Sequence, residues 1–75
     1  MIENITYPSA FLSVLYAECK YFLNKEITEK QLYFKSVTEQ IKNMKLLLNR
    51  IEPVPQWISL IDIKKIETKM KRITK

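Results

Sequence analysis

The 75 residues are enough for one small domain, and a chain of this length buries only about 60% of its unfolded surface. It has no glycine, no histidine and one cysteine, which argues against a hairpin-rich β fold, a glycine-rich phosphate loop, histidine catalysis and an intramolecular disulfide. The net charge of +5 comes from residues 64–75, because the seven cations and seven anions of residues 1–63 cancel. The sequence therefore predicts a single domain, residues 1–75, with a basic C-terminal segment at residues 64–75.

The first predicted helix covers about residues 8–24 and begins near Pro8, which the first turn of a helix tolerates. It is apolar almost all round, and only Ser9, Ser13, Lys20 and Asn24 form a narrow polar strip. Such a helix is buried on several sides. Either it is the central helix of a tight bundle, or a second copy of the chain covers part of it.

Glu18 projects from the apolar surface of this helix. A carboxylate in such a place needs a partner, or its charge is costly. Two interpretations are open: it pairs with a basic group across a helix or dimer contact, or it lies at the surface edge and reaches solvent. The sequence favours the second.

The second predicted helix covers about residues 28–51. Thr28 followed by Gln31 has the spacing of a capping box. Apolar residues then recur at alternating intervals of three and four, the period of one buried helix face: Phe34, Val37, Ile41, Met44, Leu48 and Ile51.

The third predicted helix covers about residues 55–74, after Pro53 and Pro55 interrupt the pattern. Its second half has one apolar face, and its first half has another on the opposite side, formed by Trp57, Leu60 and Ile61. Three arrangements explain this change. The helix breaks near residue 62 after a short helix at 55–61, or a continuous helix lies between its own core and a second chain, or the three residues form an exposed patch. A simpler interpretation is that Trp57 covers the core beneath the turn formed by Pro53 and Pro55.

These elements predict an all-α fold, a small three-helix bundle. No enzyme is predicted, and no cofactor or metal. Histidine is absent, and no two of the eight carboxylates lie three or four residues apart within a predicted helix.

The strongest candidate site is on the last helix. The predicted protein-binding patch contains Trp57, Leu60, Ile61, Lys64 and Lys71. The predicted basic face contains Lys64, Lys65, Lys69, Lys71, Arg72 and Lys75. An aromatic residue beside cations is typical of binding hot spots. We therefore expect a non-enzymatic regulator or inhibitor that docks an acidic-rimmed protein partner through this helix, with a homodimer through helix 1 or helix 3 as an alternative.

The amino-acid composition also indicates the kind of genome that encodes the chain. Lysine and isoleucine are abundant while arginine and alanine are scarce, as in AT-rich genomes, so a phage or other mobile element of a low-GC bacterium fits. No cation precedes Lys20 and the apolar stretch 10–17 is too short to span a bilayer. We therefore expect a cytoplasmic protein.

Two other functions compete with protein binding. A basic helix without Asn or Gln on its cationic face suits non-specific contacts to nucleic-acid phosphates. The same helix, lysine-rich on one side and apolar on the other, also suits surface contact with a membrane, or an immunity-type helical protein.

Overall fold

The computed structural model describes residues 8–51 and 55–74, which form three α-helices. They are α1 (Pro8–Leu23), α2 (Val37–Arg50) and α3 (Leu60–Ile73), with a short 3-10 helix, Glu29–Gln31, between α1 and α2. Each helix packs against the other two, and the described residues contain no strand. The predicted all-α three-helix bundle is confirmed. Pro53 and Lys75, named in the predictions above, lie outside the described residues.

The core is built from one face of each helix, as the apolar periodicity predicts. α2 buries all of its predicted stripe except Phe34, which is partly buried and packs against the core. In α3 the stripe is buried as far as Met70, while Ile73 in the last turn is half-exposed. The buried apolar residues are Leu12, Leu15, Cys19, Phe22, Leu32, Val37, Ile41, Met44, Leu47, Leu48, Ile51, Ile58, Ile63, Ile66 and Met70.

The predicted start of the second helix at residue 28 is wrong, because α2 begins at Val37. The amide of Thr28 donates to Oε1 of Gln31 at 2.7 Å, but this interaction starts only the 3-10 helix. Leu32 then adopts an extended conformation with ψ of 150°. A helix cannot continue through such a residue, so the chain turns before α2 starts.

Two side chains from the turn cap the true start of α2. Oγ of Ser36 accepts a hydrogen bond from the amide of Glu39 at 3.3 Å. Oε2 of Glu29 accepts one from the amide of Val37 at 2.8 Å. The first amides of a helix have no partner within it, and a carboxylate there also complements the helix dipole. The 3-10 helix therefore supplies a cap for the helix that follows.

Both turns between α1 and α2 place a lysine in the left-handed region, with φ of 62° at Lys25 and 57° at Lys35. The amide of Lys25 donates to the carbonyl of Phe22 at 3.0 Å, and that of Glu26 to the carbonyl of Tyr21 at 2.9 Å. This is the Schellman pattern that ends helices, usually with glycine. A chain without glycine closes it with lysine, which carries some strain.

A buried amide joins α1, α2 and the turn between them. The side chain of Gln40 is fully buried. Its Nε2 donates to the carbonyl of Leu15 at 3.3 Å and to Oε1 of Glu18 at 3.0 Å. Its Oε1 accepts from the amide of Phe34 at 3.3 Å. Oε1 of Glu18 also accepts from the amide of Tyr33 at 2.8 Å. The carboxylate thus has partners inside the fold, where the sequence favoured a carboxylate directed to solvent.

The predicted start of the third helix at residue 55 is also wrong, because α3 begins at Leu60. Ser59 and Asp62 form a capping box: Oγ of Ser59 accepts from the amide of Asp62 at 3.3 Å, and Oδ2 of Asp62 accepts from the amide of Ser59 at 2.9 Å. The helix is continuous from Leu60 to Ile73. Of the three arrangements open from sequence, a break near residue 62 after a short helix at 55–61 is therefore not the one found.

We expect Gln40→Met to lower the free energy of unfolding by about 1–3 kcal/mol, because the amide of Phe34 loses its acceptor and Glu18 loses a donor. Urea unfolding followed by circular dichroism measures the change. Lys42→Met, at an exposed position of the same helix, is the control and should alter stability by less than about 0.5 kcal/mol. Equal stability of wild type and Gln40→Met would show that the buried amide contributes nothing.

Candidate docking surface

Three large apolar side chains lie exposed where α3 begins. Trp57, Leu60 and Ile61, here called the apolar cluster, have 46%, 44% and 64% of their surface accessible. Ile58, between them in sequence, is buried in the core. Because Ile58 fills the core at this point, its neighbour Trp57 lies half outside it. In the chain by itself the three side chains form an exposed patch.

The apolar cluster extends onto α1. The ring of Trp57 lies 6.3 Å from that of Tyr16, centroid to centroid, at an interplanar angle of 45°. Nζ of Lys20 lies 4.5 Å from the centroid of the Tyr16 ring, within the range of a cation–π contact. Burial, and then the nearby carboxylate of Asp62, raise the pKa of the Tyr16 hydroxyl. Sequence reasoning missed Tyr16 and Lys20, because the apolar periodicity of α1 does not show which side of this helix contacts residues 55–59 before α3.

The outward side of α3 carries two rows of residues spaced four, three and four apart, a spacing that aligns side chains along a helix. Leu60 begins the row 60, 64, 67 and 71, and Ile61 begins the row 61, 65, 68 and 72. Each row therefore starts with an exposed apolar residue and has cations at its second and fourth positions, with Glu67 or Thr68 between them. The predicted patch residues Lys64 and Lys71 lie in the first row, in line with Leu60.

Glu67 interrupts the first row with a carboxylate that binds two lysines. Its Oε1 lies 3.1 Å from Nζ of Lys45 on α2, and its Oε2 lies 2.9 Å from Nζ of Lys71. These contacts, that of Lys71 first, lower the pKa of the Glu67 carboxyl against the opposing effect of burial. Lys71 is thus partly neutralised within the fold. Lys45, which sequence reasoning left out, adds a cation from α2 beside it.

The rest of the predicted basic face is exposed along α3. Lys64, Lys65, Lys69 and Arg72 all have accessible side chains. Within residues 8–51 and 55–74 none of the four makes an ion pair. Lys75 lies beyond the described chain. The cationic charge of this helix is therefore only partly offset, by Asp62 in its first turn and by Glu67, which is the carboxylate of α3 that forms ion pairs among the described side chains.

The thiol of Cys19 is held in the core. Its Sγ lies 3.6 Å from Sδ of Met44, and burial, with the charge of Glu18 adding to it, raises the pKa of Cys19 to about 12. A thiol with so high a pKa is protonated and unreactive at neutral pH. Among the described residues, no three of His, Cys, Asp and Glu are grouped as a metal site would require.

None of the helices in the described part of the chain has the length and apolar character needed to cross a membrane.

A comparison with families of known proteins matches most of this chain. Residues 7–70 match the model of the family described as Large polyvalent protein-associated domain 11. The match covers most of the chain, which therefore belongs to this family. No curated protein and no solved structure matches it.

We expect Glu67→Gln to lower the free energy of unfolding by about 0.5–1 kcal/mol at pH 7, a modest value because both lysines are partly exposed. The folded-state pKa of Glu67 lies below its unfolded value. The contribution of Glu67 to the free energy of unfolding is thus fully present above the pKa of a carboxyl group in the unfolded chain, about 4.3. This contribution is lost as the pH falls through the pKa of Glu67 in the folded chain.

Urea unfolding at pH 7 and near pH 2 measures this, and the difference between Glu67→Gln and wild type should vanish at the lower pH. Glu26→Gln, at an exposed position without an ion pair among the described residues, is the control. A deficit of the same size at both pH values would mean that packing, and not charge, is responsible.

Proposed function

Taking this family membership as the premise, we propose that the domain is a non-enzymatic docking module that binds an acidic-rimmed protein surface through α3 and regulates or inhibits that partner. One observation carries the proposal: each outward row of α3 begins with an exposed large apolar side chain and has cations at its second and fourth positions. An apolar centre beside charged groups is the usual composition of protein interfaces. In this arrangement the apolar cluster provides the contact and the cations orient the partner.

The apolar cluster can supply useful binding energy. Burying an exposed large apolar side chain is worth about 1.5–3 kcal/mol before the costs of association are deducted. Tryptophan and arginine are also the residues most enriched in binding hot spots. The ring of Trp57 lies beside that of Tyr16, so a partner that covers Trp57 also meets an aromatic surface next to it. The residue type and the position of Trp57 therefore favour it as the centre of the contact.

The cations serve a different purpose. Lys64, Lys65 and Arg72 are exposed, so a salt bridge from any of them to a partner is worth little by itself. A group of them beside an apolar contact nevertheless raises the association rate with an acidic surface and disfavours basic ones. An acidic rim around an apolar depression is thus the partner surface that fits best.

The family description and the composition support a phage or mobile-element setting for the domain. The family is described as a domain associated with large polyvalent proteins, which favours a phage or mobile-element context. The abundance of lysine and isoleucine favours an AT-rich genome. We therefore propose that the domain acts in the cytoplasm of a low-GC bacterium. A role without catalysis is supported by the lack of histidine and the buried, protonated Cys19.

We expect Trp57→Ala to reduce partner recovery at least tenfold when the tagged protein is used for affinity purification from the native host, since a central tryptophan contributes about 2 kcal/mol or more to such contacts. Leu46→Ala is the matched control, because Leu46 is a similarly exposed apolar residue on α2. It should leave recovery unchanged. The same proteins recovered in equal amounts with both variants would mean that the apolar cluster is not the docking site.

Nucleic acid is the second candidate ligand, favoured by one observation. Lys64, Lys65, Lys69 and Arg72 are exposed and make no ion pair among the described residues. No Asn or Gln accompanies them on α3, so these side chains suit phosphates and not base edges. Binding of this kind is independent of sequence and depends on salt.

If the four cations contact phosphates, affinity for a DNA duplex should fall roughly 100-fold between 50 and 200 mM salt, from a slope of about 0.9 per phosphate. Gel shifts at the two salt concentrations measure this. The double variant Lys65→Glu, Arg72→Glu should abolish the shift, while Lys42→Glu on α2 and Trp57→Ala should leave most of it. No shift by wild type at either concentration removes this candidate.

A further inference from the structure

A single carboxylate, that of Glu67, holds one lysine from each of two helices. Its Oε1 lies 3.1 Å from Nζ of Lys45 on α2, and its Oε2 lies 2.9 Å from Nζ of Lys71 one turn further along α3. All three side chains are partly exposed. Because Glu67 belongs to the first outward row of α3, the ammonium of Lys45 lies at the edge of the same surface. We call Lys45, Glu67 and Lys71 the charge cluster.

The charge cluster lies between the unpaired cations of α3. Lys64 and Lys65 precede Glu67 by three and two residues, and Lys69 and Arg72 follow it by two and five. These four side chains are exposed and make no ion pair among the described residues. The carboxylate of Glu67 therefore divides the exposed positive charge of the helix into two parts.

Glu67 keeps its negative charge at neutral pH. The hydrogen bond from Lys71, followed by the hydrogen bond and charge of Lys45, lowers the pKa of its carboxyl although burial acts in the opposite direction. A carboxyl group with a lowered pKa is ionised at pH 7. Two cations beside the outward row are thus held by a fixed negative charge, and a ligand must displace Glu67 before it can use them.

A carboxylate in this place opposes nucleic acid more than it opposes a protein. A DNA duplex carries about one negative charge per 1.7 Å of its axis, and α3, with 14 residues, is about 21 Å long. A phosphate backbone along this helix therefore brings phosphates to Glu67 whatever the base sequence. A folded protein can instead place its carboxylates opposite the unpaired cations and a hydrogen-bond donor opposite Glu67.

We propose that Glu67 is a specificity-determining residue of the docking surface: by binding Lys45 and Lys71 it withholds both lysines from phosphates and so weakens the binding of nucleic acid to α3. Discrimination between two ligands is a difference of affinities, and a group that disfavours the wrong ligand can supply it. The inference deepens the proposed function and rests on its choice of α3 as the docking surface. It adds the ligand class that this surface disfavours.

Binding of a fluorescently labelled DNA duplex, followed by anisotropy, tests the proposal. Glu67→Gln frees both lysines and should bind the duplex at least tenfold more tightly than wild type at about 50 mM salt. Its affinity should then fall roughly 1,000-fold between 50 and 200 mM salt, against roughly 100-fold for wild type, because two more cations reach phosphates at a slope of about 0.9 each.

Glu26→Gln is the matched control. It removes the same charge from an exposed position that has no ion pair among the described residues. Since it frees no lysine, it should leave the salt dependence of DNA binding unchanged and alter the affinity by less than about threefold. Circular dichroism and a thermal melt establish that each variant is folded.

A double-mutant cycle tests whether Glu67 acts through the two lysines. In a chain that carries Lys45→Gln and Lys71→Gln, the further substitution Glu67→Gln frees no cation. The salt dependence of DNA binding should therefore not increase in this background, although it increases when Glu67→Gln is made in wild type.

Three results would overturn the proposal. The first is that Glu67→Gln binds the duplex no more tightly than wild type, which includes the absence of binding by both. The second is an equal gain in Glu26→Gln, and the third is an equal increase in salt dependence with and without the two lysines. Partner recovery through Trp57 tests the docking function itself, so failure of that function is distinguishable from failure here.

Discussion

The side-chain amide of Gln40 is the interaction on which the rest of the fold depends. It is fully buried and uses both of its ends, donating to α1 and accepting from the turn that precedes α2. A buried amide without partners is costly, and one with all its partners in place specifies a single arrangement of the chain. Since Glu18 completes the network through the amide of Tyr33, the turn is fixed to α1, and α2 can begin only after it.

The residues that α3 exposes depend on how the start of this helix is fixed. Ile58 is buried, and the capping box of Ser59 and Asp62 starts the helix directly after it. The position of Ile58 leaves Trp57 outside the core, and the helix start places Leu60 and Ile61 at the head of two outward rows. Glu67 then ties α3 to α2 through Lys45. The proposed docking surface is thus a consequence of packing as much as of composition.

The sequence by itself determined the fold class, the core stripes of α2 and α3 and the place of the charge, because helical periodicity and composition are local properties. It also placed the apolar cluster beside the cations of α3, since both belong to one helix or its start. Ser36 and Ser59, each three residues before a carboxylate, have the local spacing of the caps that start α2 and α3. The tertiary structure decided that these caps, and not Thr28 or Pro55, begin the two helices, through the hydrogen bonds that join Glu18 and Gln40 to the turn before α2 and through the burial of Ile58. It also decided that Tyr16 meets Trp57 and that Glu67 joins Lys45, since such contacts depend on which helix faces which, and apolar periodicity carries no information about that.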